Sequence, residues 1–187
     1  MNEDIDHAVK VLEKGGLILF PTDTIWGIGC DATNTEAVDR IYRLKKRQDS
    51  KTMLVLIDNE IRLQQYIKEI PEIAWQLLDV SDKPLTIIYP GARNLALNLV
   101  AEDGSIGIRI PEDKFCQRLV SRFMKPVVST SANVTEKKPP AIFQAISDEI
   151  KEGVDYIVNW RQNDDQQGTV SSIIKLGPGG EFLILRD

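Results

Sequence analysis

A cluster of cations precedes an apolar segment in the first third of the chain. Lys45, Lys46 and Arg47 are consecutive, and Lys51 follows after a short polar stretch. Apolar residues recur at helical spacing after Thr35, which we expect to cap a helix, so the first three cations lie at a helix C-terminus. Cations at that position can simply stabilise the helix dipole. Four like charges also repel each other unless an anion lies among them, so the cluster fits a binding site for polyphosphate or an RNA backbone as well.

Two groups of hydroxyl side chains directly follow apolar segments. Thr22 and Thr24 form the first group, and residues 129–131 with Asn133 form the second. Open α/β sheets bind ligands at the carboxyl ends of their strands, where hydroxyl and amide groups suit phosphate or carboxylate oxygens. Each group could equally be a capped polar turn.

Arg109 interrupts the alternating apolar pattern of residues 105–111. A guanidinium group is rarely buried without a partner. Both a structural ion pair with a carboxylate and a role in ligand binding are therefore open for this arginine.

Several known site types do not fit the chain. Residues 27–32 match the dinucleotide pattern G-x-G-x-x-A, but a polar loop precedes them where the fingerprint requires a strand leading directly into a helix. The sequence contains no P-loop motif. Its one histidine, His7, lies on a predicted surface helix, so a histidine-dependent triad is excluded. Cys30 and Cys116 belong to no zinc-type cluster, and we expect no metal bound by protein ligands alone.

The composition indicates an ordinary globular protein. The chain has 187 residues, 42% hydrophobic and 27% charged, with a net charge of -5 and a pI near 5.0. We expect one domain over residues 1–187, and any anion site must be a local basic concavity, because the protein as a whole is acidic. The N-terminus is polar and acidic and no segment is long and apolar enough to span a bilayer, so we expect a cytoplasmic protein.

Apolar periodicity predicts an α/β fold in which helices and strands alternate. We expect helices over residues 5–14, 35–44, 61–67, 73–80, 114–124 and 142–150, and strands over residues 17–20, 53–57, 85–89, 105–111, 126–128, 156–160, 170–176 and 182–185.

Taken together, the polar motifs resemble those of a known family. They are Pro21-Thr22-Asp23-Thr24 with Gly27, Lys45-x-Arg47 with Lys51, Pro84-Leu85-Thr86, Arg109-x-Pro111, Ser129-Thr130-Ser131-Ala132-Asn133 and Ser171-Ser172-Ile173-Ile174. In this order, and over nearly the whole chain, they resemble the YrdC family of threonylcarbamoyl-AMP synthases. The resemblance implies a twisted, mostly parallel or mixed α/β sheet in a single domain, with flanking helices around a concave basic cavity.

The resemblance also implies a reaction and its participants. L-threonine, bicarbonate or CO2, and ATP would give threonylcarbamoyl-adenylate and pyrophosphate, as the first step of N6-threonylcarbamoyladenosine formation at tRNA position 37. ATP would be a substrate and would carry Mg2+ with it. The implied partners are the transferase that passes the threonylcarbamoyl group on to tRNA, and tRNA itself as an open case.

Site residues follow from the matched positions. The resemblance assigns charge stabilisation at the reacting phosphate to Lys45 and Arg47. ATP binding is assigned to Lys45, Arg47, Lys51, Ser105, Ser131, Asn133 and Arg186. Threonine binding is assigned to Thr22, Thr24, Arg109, Ser129 and Ser172, with the arginine suited to the threonine carboxylate. The chain departs from the family pattern after Asn133, where Val134-Thr135-Glu136-Lys137-Lys138 stands in place of the usual x-Ser-Gly continuation.

Two alternatives compete with the synthase. One is an RNA-binding module without catalysis, which predicts salt-sensitive RNA binding and no ATP turnover. The other is a YciO-like paralogue with altered activity. The presence of both Lys45-x-Arg47 and Ser131-Ala132-Asn133 favours the synthase.

Overall fold

The computed structural model describes residues 1–46, 53–135, 137–165, 168 and 170–187. Two of the expected cationic site residues, Arg47 and Lys51, lie outside the described residues. Within the described ranges, no helix has the length and apolar character needed to cross a membrane.

Helices and strands alternate along the described part of the chain. The helices are α1 (Asn2–Glu13), α2 (Thr35–Leu44), α3 (Leu63–Tyr66), α4 (Glu72–Val80), α5 (Lys114–Phe123) and α6 (Asp148–Glu152), with 3-10 turns at Glu60–Arg62, Leu97–Leu99 and Phe143–Ala145. The strands are β1 (Ile18–Phe20), β2 (Gly27–Gly29), β3 (Leu54–Leu56), β4 (Leu85–Tyr89), β5 (Ile106–Arg109), β6 (Val127–Ser131), β7 (Tyr156–Ile157), β8 (Ser172–Leu176) and β9 (Phe182–Arg186). The expected α/β class is confirmed.

All of these strands belong to one sheet, in the order β7-β1-β2-β6-β3-β5-β4-β8-β9. The pairs β1/β7, β3/β5 and β4/β8 are parallel. The other five pairs are antiparallel, so the sheet is mixed rather than mostly parallel. Strands that are distant in sequence therefore lie side by side in the middle of the sheet.

The sheet is covered on both faces at its apolar β1 strand. Leu19 belongs to one buried cluster, while its neighbours Ile18 and Phe20 belong to the other. Successive strand residues point to opposite faces, so both faces of β1 are packed. Helices α1 and α5 cover the Phe20 face through residues such as Leu12 and Leu119.

Several element predictions need correction. Asn34, not Thr35, caps α2, because its Oδ1 accepts a hydrogen bond from the Ala37 N–H at 3.1 Å. The expected helix over residues 142–150 is a 3-10 turn followed by α6, because Ile146 is extended with φ -73° and ψ 129°. The segment still buries Ile146 and Ile150, the residues whose spacing indicated a helix.

The G-x-G-x-x-A motif lies in a strand. Gly27, Ile28 and Gly29 form β2, which pairs with β1 on one side and with β6 on the other. A dinucleotide fingerprint forms the turn between a strand and a helix, so this motif does not serve that role.

Candidate active site

A cavity of about 230 Å³ lies over the middle of the sheet. Its wall includes Gly27 of β2, residues 129–131 of β6, Leu54 of β3, Gly107 and Arg109 of β5, Thr86 and Ile88 of β4, Ile173 of β8 and Arg186 of β9. These seven strands are consecutive in the sheet. The cavity is therefore formed jointly by seven neighbouring strands of the sheet.

Glycines inside two strands leave room for the cavity. A Cβ atom at Gly107 would lie 3.4 Å from Cγ2 of Thr86 and 3.6 Å from Cβ of Leu54, which is ordinary contact. A Cβ atom at Gly27 would lie 3.1 Å from Oγ of Ser129, which is tighter. Glycine in a strand interior weakens the strand and often marks a place where a ligand approaches the backbone.

The three hydroxyl side chains of residues 129–131 lie within β6 rather than after it. This corrects the expectation that these side chains follow the strand. Ser129 and Ser131 share one face of β6, because side chains alternate along a strand. Residues 129–131 all line the cavity. The strand thus fixes the hydroxyl groups more rigidly than a turn would.

Lys45 directly follows α2, and its side chain is buried against β6. Its Nζ donates to the backbone carbonyls of Ser131 and Asn133 at 2.5 and 2.6 Å. The Lys45 carbonyl in turn accepts a hydrogen bond from the Thr135 N–H at 2.9 Å. Lys46 forms a surface ion pair with Glu149 instead. The two adjacent lysines therefore have different roles, and only Lys45 contacts a cavity-lining residue through these bonds.

Asn133 organises the loop that departs from the family pattern. Its Nδ2 donates to the carbonyls of Val134 and Lys137 at 3.0 and 2.6 Å. Its Oδ1 is buried and has no hydrogen-bond partner among the described residues. The amide closes the loop beside Lys45 and retains a buried acceptor there.

Arg109 is buried, with 3% of its side chain exposed. Its Nη1 donates to Oγ1 of Thr24 at 3.0 Å, and its Nη2 lies 3.3 Å from Oδ1 of Asp23. Its Nε has no hydrogen-bond partner among the described residues. The arginine thus has a structural carboxylate partner and also lies on the cavity wall.

Thr22 holds Thr24 in place through hydrogen bonds. Its Oγ1 lies 2.9 Å from Oγ1 of Thr24, donates to the Ile25 carbonyl at 2.8 Å, and accepts from the Thr24 N–H at 3.0 Å. Thr24 lines the cavity, whereas Thr22 lies outside its lining. The two threonines therefore form one short hydrogen-bonded turn that presents Thr24.

Ser171, rather than Ser172, lines the cavity. Its hydroxyl group lies 2.9 Å from Oγ1 of Thr86, and its carbonyl accepts from Nε of Arg186 at 2.7 Å. Ser172 pairs with Leu85 in the sheet and lies outside the lining. Alternation along the strand separates the two serines, which the sequence alone did not distinguish.

Two guanidinium groups face the same cavity. Burial lowers the pKa of Arg186, and the positive charge of Arg109 lowers it further. The shift shows that the two cations are close enough to repel each other. Such a pair favours an anionic ligand between or beside them.

Ser105 lies apart from this group. Its Oγ donates to Oδ1 of Asp103 at 2.5 Å, and it is outside the cavity lining. Hydrogen bonds from Lys175 and Ser105 lower the pKa of Asp103 to about 2. No group of three metal-ligating side chains occurs within the residues that the structure describes.

Sequence reasoning missed three residues of this site. Asp23, Thr86 and Ser171 each contact a residue of the cavity wall. Thr86 gave the same signal as Arg109, because it is a polar residue inside an apolar strand. Asp23 was part of a quoted motif, but only the structure shows which cation it pairs with.

The fold and the site define an α/β protein whose sheet carries a small cavity lined by two guanidinium groups and several hydroxyl groups beside apolar side chains. The chain belongs to the Sua5/YciO/YrdC family, because that family's model, described as "Telomere recombination", matches residues 10–187.

Curated relatives and solved structures agree with this family. A threonylcarbamoyl-AMP synthase from Photobacterium profundum is 28% identical over 83% of this chain and 86% of its own length. One from Hahella chejuensis is 31% identical over 81% of this chain and 83% of its own length.

Among solved structures, P. abyssi Sua5 complexed with L-threonine has a TM-score of 0.81 and 25% identity, and the match covers 92% of this chain and 50% of that one. A second P. abyssi Sua5 structure, the H234A/Y235A variant, has a TM-score of 0.86 and 25% identity over 97% of this chain and 52% of that one. The chain therefore spans about half the length of the Sua5 proteins. E. coli YciO has a TM-score of 0.86 at 23% identity and covers 100% of this chain and 90% of its own, which shows a shared fold.

Proposed function

We propose that this protein is a threonylcarbamoyl-AMP synthase that converts L-threonine, bicarbonate or CO2, and ATP into threonylcarbamoyl-adenylate and pyrophosphate. The observation that carries the proposal is the cavity in which Arg109, Arg186 and buried hydroxyl groups converge. The names of the curated relatives and the threonine complex of P. abyssi Sua5 support the choice of reaction.

Arg109 is the residue that we assign to the threonine carboxylate. A guanidinium group binds a carboxylate through two parallel charge-assisted hydrogen bonds. The position of Arg109 on the cavity wall, beside Thr24, supports this role. Thr24, Ser129 and Ser171 offer neutral hydroxyl groups to the threonine amine and hydroxyl, while Thr22 would position Thr24.

ATP would lie toward Lys45, Ser131, Asn133 and Arg186. The triphosphate is negatively charged, and displacement of pyrophosphate develops further negative charge on the leaving oxygens, which nearby cations stabilise. We propose that Arg47 and Lys51 complete this cationic group. Mg2+ would arrive bound to the phosphates and water, because Mg2+ usually keeps several waters and few protein ligands.

The reaction needs little acid-base chemistry from the protein. The threonine amine attacks the carbon of CO2 and releases a proton, or attacks bicarbonate and releases water, to form a carbamate. A carbamate oxygen then displaces pyrophosphate from the α-phosphate of ATP. Holding the carbamate oxygen in line with the α-phosphate accelerates the reaction, since orientation alone can contribute several kcal/mol. No covalent enzyme intermediate is required.

We further propose that residues 1–187 form one domain, since one sheet joins β1 to β9. The product would pass to the transferase that modifies tRNA at position 37 in the cytoplasm. Binding of tRNA to this chain itself is a separate question that an RNA-binding assay tests.

Pyrophosphate release from ATP by the purified protein tests the reaction. Release should require Mg2+, L-threonine and bicarbonate together, and should fall strongly in Lys45→Ala and in Arg47→Ala. Lys46→Ala is the matched control, because Lys46 is exposed and paired with Glu149 on the surface. A folded wild type that binds RNA but releases no pyrophosphate with all substrates present would favour the RNA-binding module instead.

A further inference from the structure

Among the residues that the structure describes, none covers the apolar edge of the sheet at β9. It is the last strand in the sheet order, and Phe182, Leu183, Ile184 and Leu185 are 53%, 59%, 58% and 52% exposed. These four residues include no charge and no proline. Soluble proteins usually protect an edge strand with charged residues, proline or a covering segment, because an unpaired edge pairs readily with another strand.

The backbone pattern shows which groups face the open edge. The Gly177 N–H donates to the Glu181 carbonyl, so residue 181 faces β8. Leu183 lies opposite Lys175 in the same ladder, two residues further on, and also faces β8. Because antiparallel partners alternate, Phe182 and Ile184 direct their backbone N–H and C=O groups toward the open edge.

We propose that β9 pairs with β9 of a second copy of this chain, in an antiparallel two-fold dimer centred on Leu183. In this register Phe182 of each copy lies opposite Ile184 of the other, and the outward backbone groups of both residues exchange hydrogen bonds across the dyad. Aromatic and β-branched residues opposite each other stabilise antiparallel pairs. The two copies of Leu183 meet directly on the other face.

Charge selects this register over its neighbours. A dyad at Ile184 would have to continue the pairing through Leu185, where the register of β9 shifts against β8, and would bring Glu181 of one copy toward Asp187 of the other, where like charges are destabilising. A dyad at Phe182 would pair Ile184 with Gly180 in the turn between β8 and β9 and lose the apolar contacts. Centring on Leu183 requires regular pairing of Phe182, Leu183 and Ile184 alone and brings Glu181 toward Leu185, so no carboxylate faces another.

Sedimentation velocity of the full chain tests the dimer. We expect a mass of twice the 21.1 kDa chain for the wild type, and a single-chain mass for Ile184→Lys. Val80→Lys, at another highly exposed apolar residue on α4, should keep the dimer mass. Circular dichroism of each variant confirms that the fold is retained.

Oxidative cross-linking tests the register. Opposed residues of a non-hydrogen-bonded pair have Cβ atoms about 4.5–5.5 Å apart, close to disulfide geometry. Leu183→Cys should therefore form a covalent dimer under mild oxidation, whereas Leu97→Cys, which is 86% exposed elsewhere, should not. The native cysteines are buried and contribute no background. A wild type that is monomeric up to its solubility limit, or a dimer that Leu183→Cys fails to cross-link, would overturn the proposal.

Discussion

Replacing Arg109 by lysine should separate its role in binding from its role in stability. Lysine keeps the positive charge beside Asp23, whose side chain is only 10% exposed. It loses the planar fork that can hold a carboxylate by two bonds. We therefore expect Arg109→Lys to fold with nearly normal stability but to bind L-threonine poorly.

The size of the binding defect follows from the lost bond. A hydrogen bond to a charged group contributes about 1.5–3 kcal/mol, and each 1.4 kcal/mol is about tenfold in affinity. Losing one of the two bonds should raise the Kd for threonine about 10- to 150-fold. Arg109→Ala should instead destabilise the fold by about 3–5 kcal/mol, because it leaves the Asp23 carboxylate buried without a counter-charge.

Isothermal titration with L-threonine measures the first effect, and urea unfolding measures the second. Arg40→Lys is the matched control, because Arg40 pairs with Asp155 at 2.8 Å on the surface, outside the cavity. That substitution should change the free energy of unfolding by less than about 1 kcal/mol and leave threonine binding unchanged. If Arg109→Lys binds threonine within twofold of the wild type, the assignment of Arg109 to the carboxylate is wrong.

Three further predictions follow from other parts of the molecule. Burial acts to raise the pKa of Asp4, but hydrogen bonds from Asn159 and Tyr156 prevail and lower it from its ordinary 3.8. A depressed pKa adds stability above about pH 4, and this stability is lost as the pH falls through the pKa of the folded state. Asp4→Asn should therefore lower the free energy of unfolding in urea by about 1–3 kcal/mol at pH 7 and by less near pH 3. An equal loss at both pH values would contradict this prediction. Lys175→Ala should raise the pKa of Asp103 from about 2 toward 3.8, as measured by NMR titration. Because the Lys175–Asp103 pair is exposed, the substitution should change the free energy of unfolding by less than about 1 kcal/mol. A larger loss of stability would refute this prediction. Gly29→Ala should lower the melting temperature, because the new Cβ would lie 2.6 Å from the Val128 carbonyl oxygen. Gly107→Ala should leave the melting temperature nearly unchanged and weaken ligand binding. A larger drop in melting temperature for Gly107→Ala than for Gly29→Ala would contradict the observed packing.

Local signals predicted the elements best where one pattern dominates. The strand over residues 85–89 and the helix starting at Lys114 were predicted at the observed bounds or within one residue. The predicted helix over residues 142–150 was wrong, because a 3-10 turn and a short helix bury the same isoleucines as one continuous helix would. Periodicity records which residues are buried, and more than one backbone path can satisfy it.

The site was predictable as a set of residue types but not as a geometry. The alternation that places Ser171 on the cavity and Ser172 beside Leu85 depends on the exact start of β8. The pairing of Arg109 with Asp23 depends on how the loop between β1 and β2 lies against β5, which is distant from it in sequence. Sheet order is a long-range property, so no local pattern in the sequence specifies it.

The strand order also determines when the site can exist. Arg109 contacts Thr24 across 85 positions of sequence, Lys45 contacts Ser131 across 86, and Thr86 contacts Ser171 across 85. A growing or partly unfolded chain therefore has no cavity until residues near 186 have joined the sheet. Substrate can bind only the complete fold, so it should slow global unfolding and protect all the central strands from hydrogen exchange together. Enzyme activity would then report directly on the completeness of folding.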